Sequence, residues 1–132
     1  MGVRRYVCLE GPEVERLLAF ADVSLDSFPF SGGNSTYQAL AMGTPVVTLP
    51  GDYLRGRLSL AILCELGLTD CVAMDIEDYA RIAVRLATDA RYAKGVGRRI
   101  ERGAADIFDN PVFLEEAVAF LREVEPPTAP DG

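Results

Sequence analysis

A short run of small polar residues, Ser31-Gly32-Gly33-Asn34-Ser35-Thr36, is the part of the sequence best suited to chemistry. Its two adjacent glycines lack the Cβ atoms that would keep a ligand away from the backbone. The amide and hydroxyl groups that follow stand where the sequence predicts the start of a helix. Because the first N–H groups of a helix are free and carry partial positive charge, the run predicts an anion site for a phosphate or diphosphate.

The same spacing also fits a purely structural strand-to-helix connection. The run is neither a GxGxxG fingerprint nor a P-loop, and it lacks the Lys that would reach a β-phosphate. Asp26 ends the preceding predicted strand, where it could contact a ligand or simply form the turn. Both interpretations of this segment stay open on spacing alone.

Composition excludes several classes of function. The chain contains no His, which rules out Ser-His-Asp triads and His-bearing zinc sites, and we expect no metal. A net charge of −7 argues against binding to nucleic acid or to an anionic membrane surface. No apolar run approaches the roughly 18–20 residues that span a bilayer. The three cysteines form no close CxxC pair, which favours a reducing, cytoplasmic compartment.

Alternating short strands and helices are predicted to position the polar run. The strands are predicted at residues 6–9, 23–25, 45–50 and 71–74. Helices are predicted to begin near Pro12, Asn34, Arg55, Asp75, Arg91 and Phe113. This alternation predicts a parallel sheet that helices cover on both faces. The Pro-rich residues 125–132 are expected to be a disordered tail.

The stretch ADVSLDSFPFSGGNSTYQALAMGTPVVTLPG, with RGRL and ELGL after it, resembles the O-GlcNAc-transferase-like glycosyltransferases of family 41. The resemblance covers residues 6–124 and lies in the second half of the family's catalytic region, the nucleotide-sugar donor domain of a GT-B fold. It implies an α/β fold for residues 1–124. The expected architecture is a three-layer, Rossmann-like parallel sheet, truncated to about four short strands, with C-terminal helices.

The resemblance assigns roles to positions in the turn and in the helix after it. Family members contact the donor diphosphate through an Asn/Gly-rich turn and the Thr residues that follow. The matching positions are Gly32, Gly33, Asn34, Ser35 and Thr36. Gln38 stands where the family usually has an acidic contact to the ribose. Structural alternatives remain, with Asn34 as a helix cap only and Gln38 as a solvated helix residue.

Three other positions compare with the family in different ways. The animal enzymes contact the nucleotide through an upstream Lys and His, and the matching positions here are Gly11 and Val14, so those contacts are missing. Arg57 keeps the Arg of the family's S-R-V motif. A structural alternative pairs Arg57 with a carboxylate such as Asp26 or Asp52.

The resemblance implies transfer of a GlcNAc-like sugar from a UDP-sugar, as substrate and without a cofactor, to Ser or Thr of a protein acceptor. The acceptor half of such an enzyme is missing from this chain. We therefore expect a donor-binding half-domain that is inactive when isolated, and no catalytic residue is assigned. The alternatives are a non-catalytic module that binds a nucleotide or sugar phosphate, and an interaction domain without a ligand.

Strand counting predicts an unpaired sheet edge. In a doubly wound sheet of order 3-2-1-4-5-6, the resemblance makes residues 6–9 strand 3 and residues 23–25, 46–49 and 71–73 strands 4, 5 and 6. Strands 1 and 2 are then absent, which leaves strand 4 open. Either residues 6–9 move inward to pair with it, or two chains join as a homodimer across the open edge.

Overall fold

Helices dominate the computed structural model, which describes residues 11–108 and 111–124. The helices are α1 (Gly11–Ala19), α2 (Asn34–Ala41), α3 (Leu58–Glu65), α4 (Ile76–Thr88), α5 (Ala90–Phe108) and α6 (Pro111–Glu123). The strands are β1 (Ser24–Leu25) and β2 (Val46–Val47). Short 3₁₀ turns span Leu54–Gly56 and Thr69–Cys71. A helix is thus present at each predicted place, although the predicted helix at residues 55–66 is split into a 3₁₀ turn and α3.

The sheet is smaller than the sequence predicted. Strands β1 and β2 pair in parallel, with Ser24 opposite Val46, and a single parallel bridge joins Thr48 to Val72. The neighbour order expected for these three segments is therefore present, but the expected four-strand sheet is not shown. The 3₁₀ turn before Val72 directs the N–H groups of Cys71 and Val72 to local carbonyls instead of a ladder. The candidate strand at residues 6–9 and the tail at 125–132 lie outside the described residues.

The core forms where β2 is enclosed by helices. Val46 and Val47 are both buried, which fits a strand with helices on both faces. The largest fully buried apolar side chains around them are Leu40, Leu63, Leu68, Leu86, Val96 and Ile100. Cys71 also lies in this core, where burial raises the pKa of its thiol to about 12. It therefore packs as a small neutral side chain.

Three helix boundaries follow directly from local sequence signals. Gly43 follows α2 at a φ of +76°, and Gly67 follows α3 at +65°, where a side chain would be strained. Asp75 precedes α4 and accepts a hydrogen bond from the Asp78 N–H at 2.8 Å. These ends fix the lengths of the connections that bring α2, α3 and α4 back to the strands.

The first and last helices lie at the periphery. Helix α1 packs against α2, but none of its residues is fully buried, and Leu18 is the half-buried contact to the core. Helix α6 exposes Leu114, Phe120 and Leu121. Within the described ranges, no helix has the length and apolar character needed to cross a membrane.

Candidate functional site

The Asp26 carboxylate organises the polar run. It is buried, and its Oδ2 accepts hydrogen bonds from the hydroxyls of Ser31 at 2.8 Å and Thr48 at 2.6 Å. Its Oδ1 accepts the Gly32 N–H at 2.6 Å. Since each of these donors belongs to the protein, the structure places Asp26 in the turn-forming role that the sequence had left open.

A second support comes from Ser59 in the first turn of α3. Its N–H donates to the Ser31 hydroxyl at 3.0 Å, and its hydroxyl donates to the Gly32 carbonyl at 2.8 Å. The Thr36 hydroxyl lies 2.7 Å from the Ser59 hydroxyl and 3.0 Å from the same carbonyl. The starts of α2 and α3 therefore converge on one backbone segment, Ser31–Gly32.

Sequence reasoning missed Ser59. It is followed by an apolar run that extends almost to the end of α3 at Glu65, it comes directly after the RGRL segment, and it is completely buried. A lone serine among core residues implies a hydrogen-bond partner, because a buried hydroxyl without one is costly. That signal was present in the sequence, but it does not reveal the partner.

The first turn of α2 offers unused donors. The residue before the helix is Gly33, and no side chain caps the helix, so the interpretation of Asn34 as a cap is wrong. The N–H groups of Thr36 and Tyr37 both donate hydrogen bonds to the Gly33 carbonyl, each at 3.1 Å. Within the described residues, the N–H groups of Asn34 and Ser35 have no acceptor, and both side chains are exposed.

The two other predicted positions on α2 differ from each other in exposure. Thr36 is 3% exposed, and its hydroxyl faces Gly32 and Ser59 rather than solvent. Gln38 is exposed and lies one helical turn after Asn34, on the same side of α2. Among the predicted positions of the turn and α2, Asn34, Ser35 and Gln38 thus have the exposed side chains.

Gly32 has no room for a side chain. An added Cβ would lie 2.5 Å from the Ser35 hydroxyl, 3.0 Å from that of Thr36 and 3.2 Å from Asp26 Oδ1. Contacts below 3.4 Å are tighter than a packed structure tolerates without movement. Ser35 is exposed and can rotate away, but Thr36 and Asp26 are held by hydrogen bonds, so glycine fits here without movement of the turn.

The loop before α3, residues 51–56, packs against one side of the turn. The Ser31 N–H donates to the Arg55 carbonyl at 2.8 Å, and the Gly51 N–H donates to the Gly56 carbonyl at 2.9 Å. A Cβ on Gly56 would lie 2.8 Å from the Pro29 carbonyl oxygen, a backbone atom that cannot swing aside. The backbones of residues 29–31 and 51–56 are therefore locked together.

Arg57 binds the loop backbone, and the two upstream positions carry no polar side chain. Arg57 donates from Nη1 to the Gly51 carbonyl at 3.1 Å, not to Asp26 or Asp52, so the carboxylate pairing is wrong. Gly11 begins α1 and is exposed, and Val14 is half-buried. Neither side chain can donate a hydrogen bond.

The arrangement suits anion binding better than proton transfer. Its one carboxylate, Asp26, is buried and accepts three hydrogen bonds from protein donors. Tyr79 donates its hydroxyl to the Asp26 carbonyl at 2.7 Å, and burial together with the Asp26 charge raises the pKa of Tyr79. The described residues contain no group of three or more His, Cys, Asp or Glu placed to hold a metal. Neutral donors at a rigid helix start are suited to a developing negative charge.

Comparison with known sequences assigns the family. The profile of Glycosyl transferase family 41 matches residues 11–116, which include the whole of the turn and its supports. The chain belongs to this family. The match confirms the resemblance that the motif from Ala21 to Gly51 had suggested.

Individual family 41 relatives align over most of this chain. A probable UDP-N-acetylglucosamine–peptide N-acetylglucosaminyltransferase, SPINDLY of Eustoma exaltatum subsp. russellianum, is 31% identical over 97 residues, 72% of this chain and 11% of the relative. The Caenorhabditis elegans UDP-N-acetylglucosamine–peptide N-acetylglucosaminyltransferase is 37% identical over 107 residues, 79% of this chain and 9% of the relative. The chain thus spans about a tenth of the length of these family 41 proteins.

A solved O-GlcNAc transferase structure has the same fold over most of this chain. A mutant O-GlcNAc transferase from Thermobaculum terrenum superposes with a TM-score of 0.75 at 30% identity. The superposition covers 83% of this chain and 22% of that one. The short sheet and its covering helices therefore correspond to part of a GT-B-type enzyme.

We predict that Asp26→Asn destabilises the protein by about 2–4 kcal/mol, because an amide cannot accept all three hydrogen bonds and leaves a buried donor unpaired. The exposed Asp52 supplies a matched control, since Asp52→Asn is expected to change stability by less than about 0.5 kcal/mol. Urea unfolding followed by circular dichroism measures both variants. Equal stability of the two variants would show that Asp26 does not hold the turn.

Proposed function

We propose that this chain is the nucleotide-sugar donor-binding half of a family 41 glycosyltransferase. The reaction transfers a GlcNAc-like sugar from a UDP-sugar to Ser or Thr of a protein acceptor. The observation that carries the proposal is the pair of free N–H groups at Asn34 and Ser35, held at the start of α2 by a buried hydrogen-bond network. The printed names of the relatives, which specify UDP-N-acetylglucosamine and a peptide, supply the substrate class.

Each site residue has a proposed role. The N–H groups and side chains of Asn34 and Ser35, next to Gly33, bind the diphosphate and stabilise its charge as it leaves. Gln38 donates to a ribose hydroxyl from one turn further along α2. Thr36 acts as a positioning residue, because its hydroxyl is engaged with Gly32 and Ser59. Arg57 supports the loop at Gly51.

A non-catalytic nucleotide-binding module is the second candidate. This candidate is favoured by the loss of side chains that the family uses to bind the nucleotide. Gln38 carries no charge, and neither Gly11 nor Val14 has a side-chain donor. Such a module would keep the diphosphate contact at α2 and lose affinity for the rest of the donor. Binding and transfer experiments together distinguish it from a transferase half.

We predict that UDP binds the isolated chain and that Asn34→Ala/Ser35→Ala weakens binding by about 2–4 kcal/mol, because two hydrogen bonds to a charged group are lost. Titration calorimetry with UDP measures the change. The control is Thr88→Ala, which removes an exposed hydroxyl at the far end of α4. Unchanged affinity in the double variant would contradict the two side-chain contacts, and the absence of UDP binding to the unaltered chain would contradict the placement of the diphosphate at the start of α2.

We also predict that the isolated chain transfers no sugar from UDP-N-acetylglucosamine to peptide. A GT-B active site lies between two domains, and the catalytic advantage of positioning the acceptor against the donor is lost when one is missing. The assay follows radiolabelled sugar on a Ser/Thr peptide, with the Asn34→Ala/Ser35→Ala variant as background. Turnover above that background would refute the half-domain proposal.

Self-association through the sheet edge remains part of the proposal. Among the described residues, β1 pairs only with β2, and Leu25 is 59% exposed. A free strand edge beside exposed apolar side chains favours pairing with a second copy. We predict a homodimer at micromolar concentration, measured by light scattering. A monomer whose mass does not change with concentration would show that the edge is covered within one chain.

The compartment of the proposed enzyme is the cytoplasm. The described cysteines, Cys64 and Cys71, are both free thiols, as in a reducing environment. The donor half then has access to protein acceptors inside the cell.

A further inference from the structure

Basic side chains are concentrated in one part of this acidic chain. The whole sequence has 13 Lys+Arg against 20 Asp+Glu. The basic residues of α4 and α5 are Arg81, Arg85, Arg91, Lys94, Arg98, Arg99 and Arg102. More than half of the positive charge therefore lies within two neighbouring helices.

Three of these arginines are engaged by the protein itself. Arg81 forms an ion pair with Asp78, and Arg85 lies over the Tyr92 ring at 3.9 Å from its centroid. Arg99 donates to Asp70 Oδ2 at 2.7 Å and thereby ties α5 to the segment before Val72. Arg85 and Arg99 thus link α4, α5 and the segment before Val72, whereas the Arg81 pair lies within α4.

The other four form a stripe along α5. Arg91, Lys94, Arg98 and Arg102 follow helical spacing on the side opposite the buried Val96 and Ile100. This basic stripe is solvent-exposed, and within the described residues none of its members has an acidic partner.

Hydrogen bonds to the backbone of α5 orient two side chains of the stripe. The Arg98 Nε donates to the Lys94 carbonyl at 3.4 Å, and the Arg102 Nε donates to the Arg98 carbonyl at 3.1 Å. Like charges four residues apart repel each other and weaken a helix. Glu101 lies beside Arg98 and Arg102 and offsets part of this repulsion, although it forms no ion pair with either of them.

Beside the stripe lies a cleft of about 550 Å³. Arg91, Tyr92 and Gly95 line it together with two carboxylates, Asp70 and Asp89, which are paired with Arg99 and Arg85. Gly95 also borders a second depression, lined by Arg98, Arg102 and Glu101. A Cβ on Gly95 would meet no atom within 4 Å, so the floor here is open to an approaching chain.

We propose that the basic stripe and this cleft bind an acidic, Asp/Glu-rich segment of a protein partner. Carboxylates of such a segment would pair with Arg91, Arg98 and Arg102, while its backbone crosses the open floor at Gly95. A membrane is a poorer match, because a flat lipid surface cannot enter the cleft and reach the open floor at Gly95. The stripe also lacks exposed large apolar side chains that could insert into lipid.

The surface is separate from the proposed diphosphate site. The glycine turn follows the carboxyl end of β1, whereas Asp70 in the cleft precedes Val72 at the amino end of the parallel segments. Changes in the stripe therefore leave the turn intact, and this proposal does not depend on the proposed glycosyltransferase function.

The test measures binding of a fluorescein-labelled poly-glutamate peptide to the 132-residue chain by anisotropy. Arg98→Gln/Arg102→Gln is expected to weaken binding by about tenfold, because two exposed ion pairs are lost. The matched control is Arg16→Gln/Arg122→Gln, which changes the net charge equally but lies on α1 and α6. Binding to the unaltered chain should also weaken as salt is raised.

Three outcomes would overturn the proposal. The first is the absence of peptide binding to the unaltered chain at low salt. The second is an equal loss of affinity in the two double variants, which would reveal only a net-charge effect. The third is preferential binding to phosphatidylserine vesicles that Arg98→Gln/Arg102→Gln abolishes, which would assign the surface to a membrane. Circular dichroism confirms that both variants fold, and unchanged UDP affinity would separate this surface from the donor site.

Discussion

The structure depends on one buried carboxylate. Asp26 collects the hydroxyl of Ser31, the N–H of Gly32 and the hydroxyl of Thr48, and so joins the end of β1 to the turn and to the residue after β2. Burying a charge is unfavourable unless it is well hydrogen-bonded, so the three donors must be present together. The conformation of the glycine turn, and hence the direction of α2, follows from this requirement.

The hydrogen bonds around Asp26 also support a site that is built from neutral groups. Ser59 brings the start of α3 onto the turn, and Thr36 closes the same network from α2. No buried side-chain oxygen or nitrogen in the described part of the chain lacks a partner. A network that is fully satisfied without a ligand holds the free N–H groups of Asn34 and Ser35 in place beforehand, which is what an anion site needs.

The sequence by itself determined the local features of this protein. Helix periodicity, the glycine after α2 at Gly43 and the cap at Asp75 depend on residues within one or two turns, so their spacing was sufficient. The neighbour order of the three extended segments followed from the resemblance to family 41, whose doubly wound sheet places them side by side. The family followed from the long run between Ala21 and Gly51.

Tertiary structure decided everything that rests on partners distant in the chain. Ser59 meets Ser31 across 28 positions, so spacing could not reveal that contact. Thr36 has the residue type of a ligand contact, yet packing between α2 and α3 buries its hydroxyl. The segment near Cys71 has strand-forming residues, but local turns take their N–H groups and only one bridge remains. Sequence patterns record local preferences, whereas the fold chooses which polar groups become each other's partners.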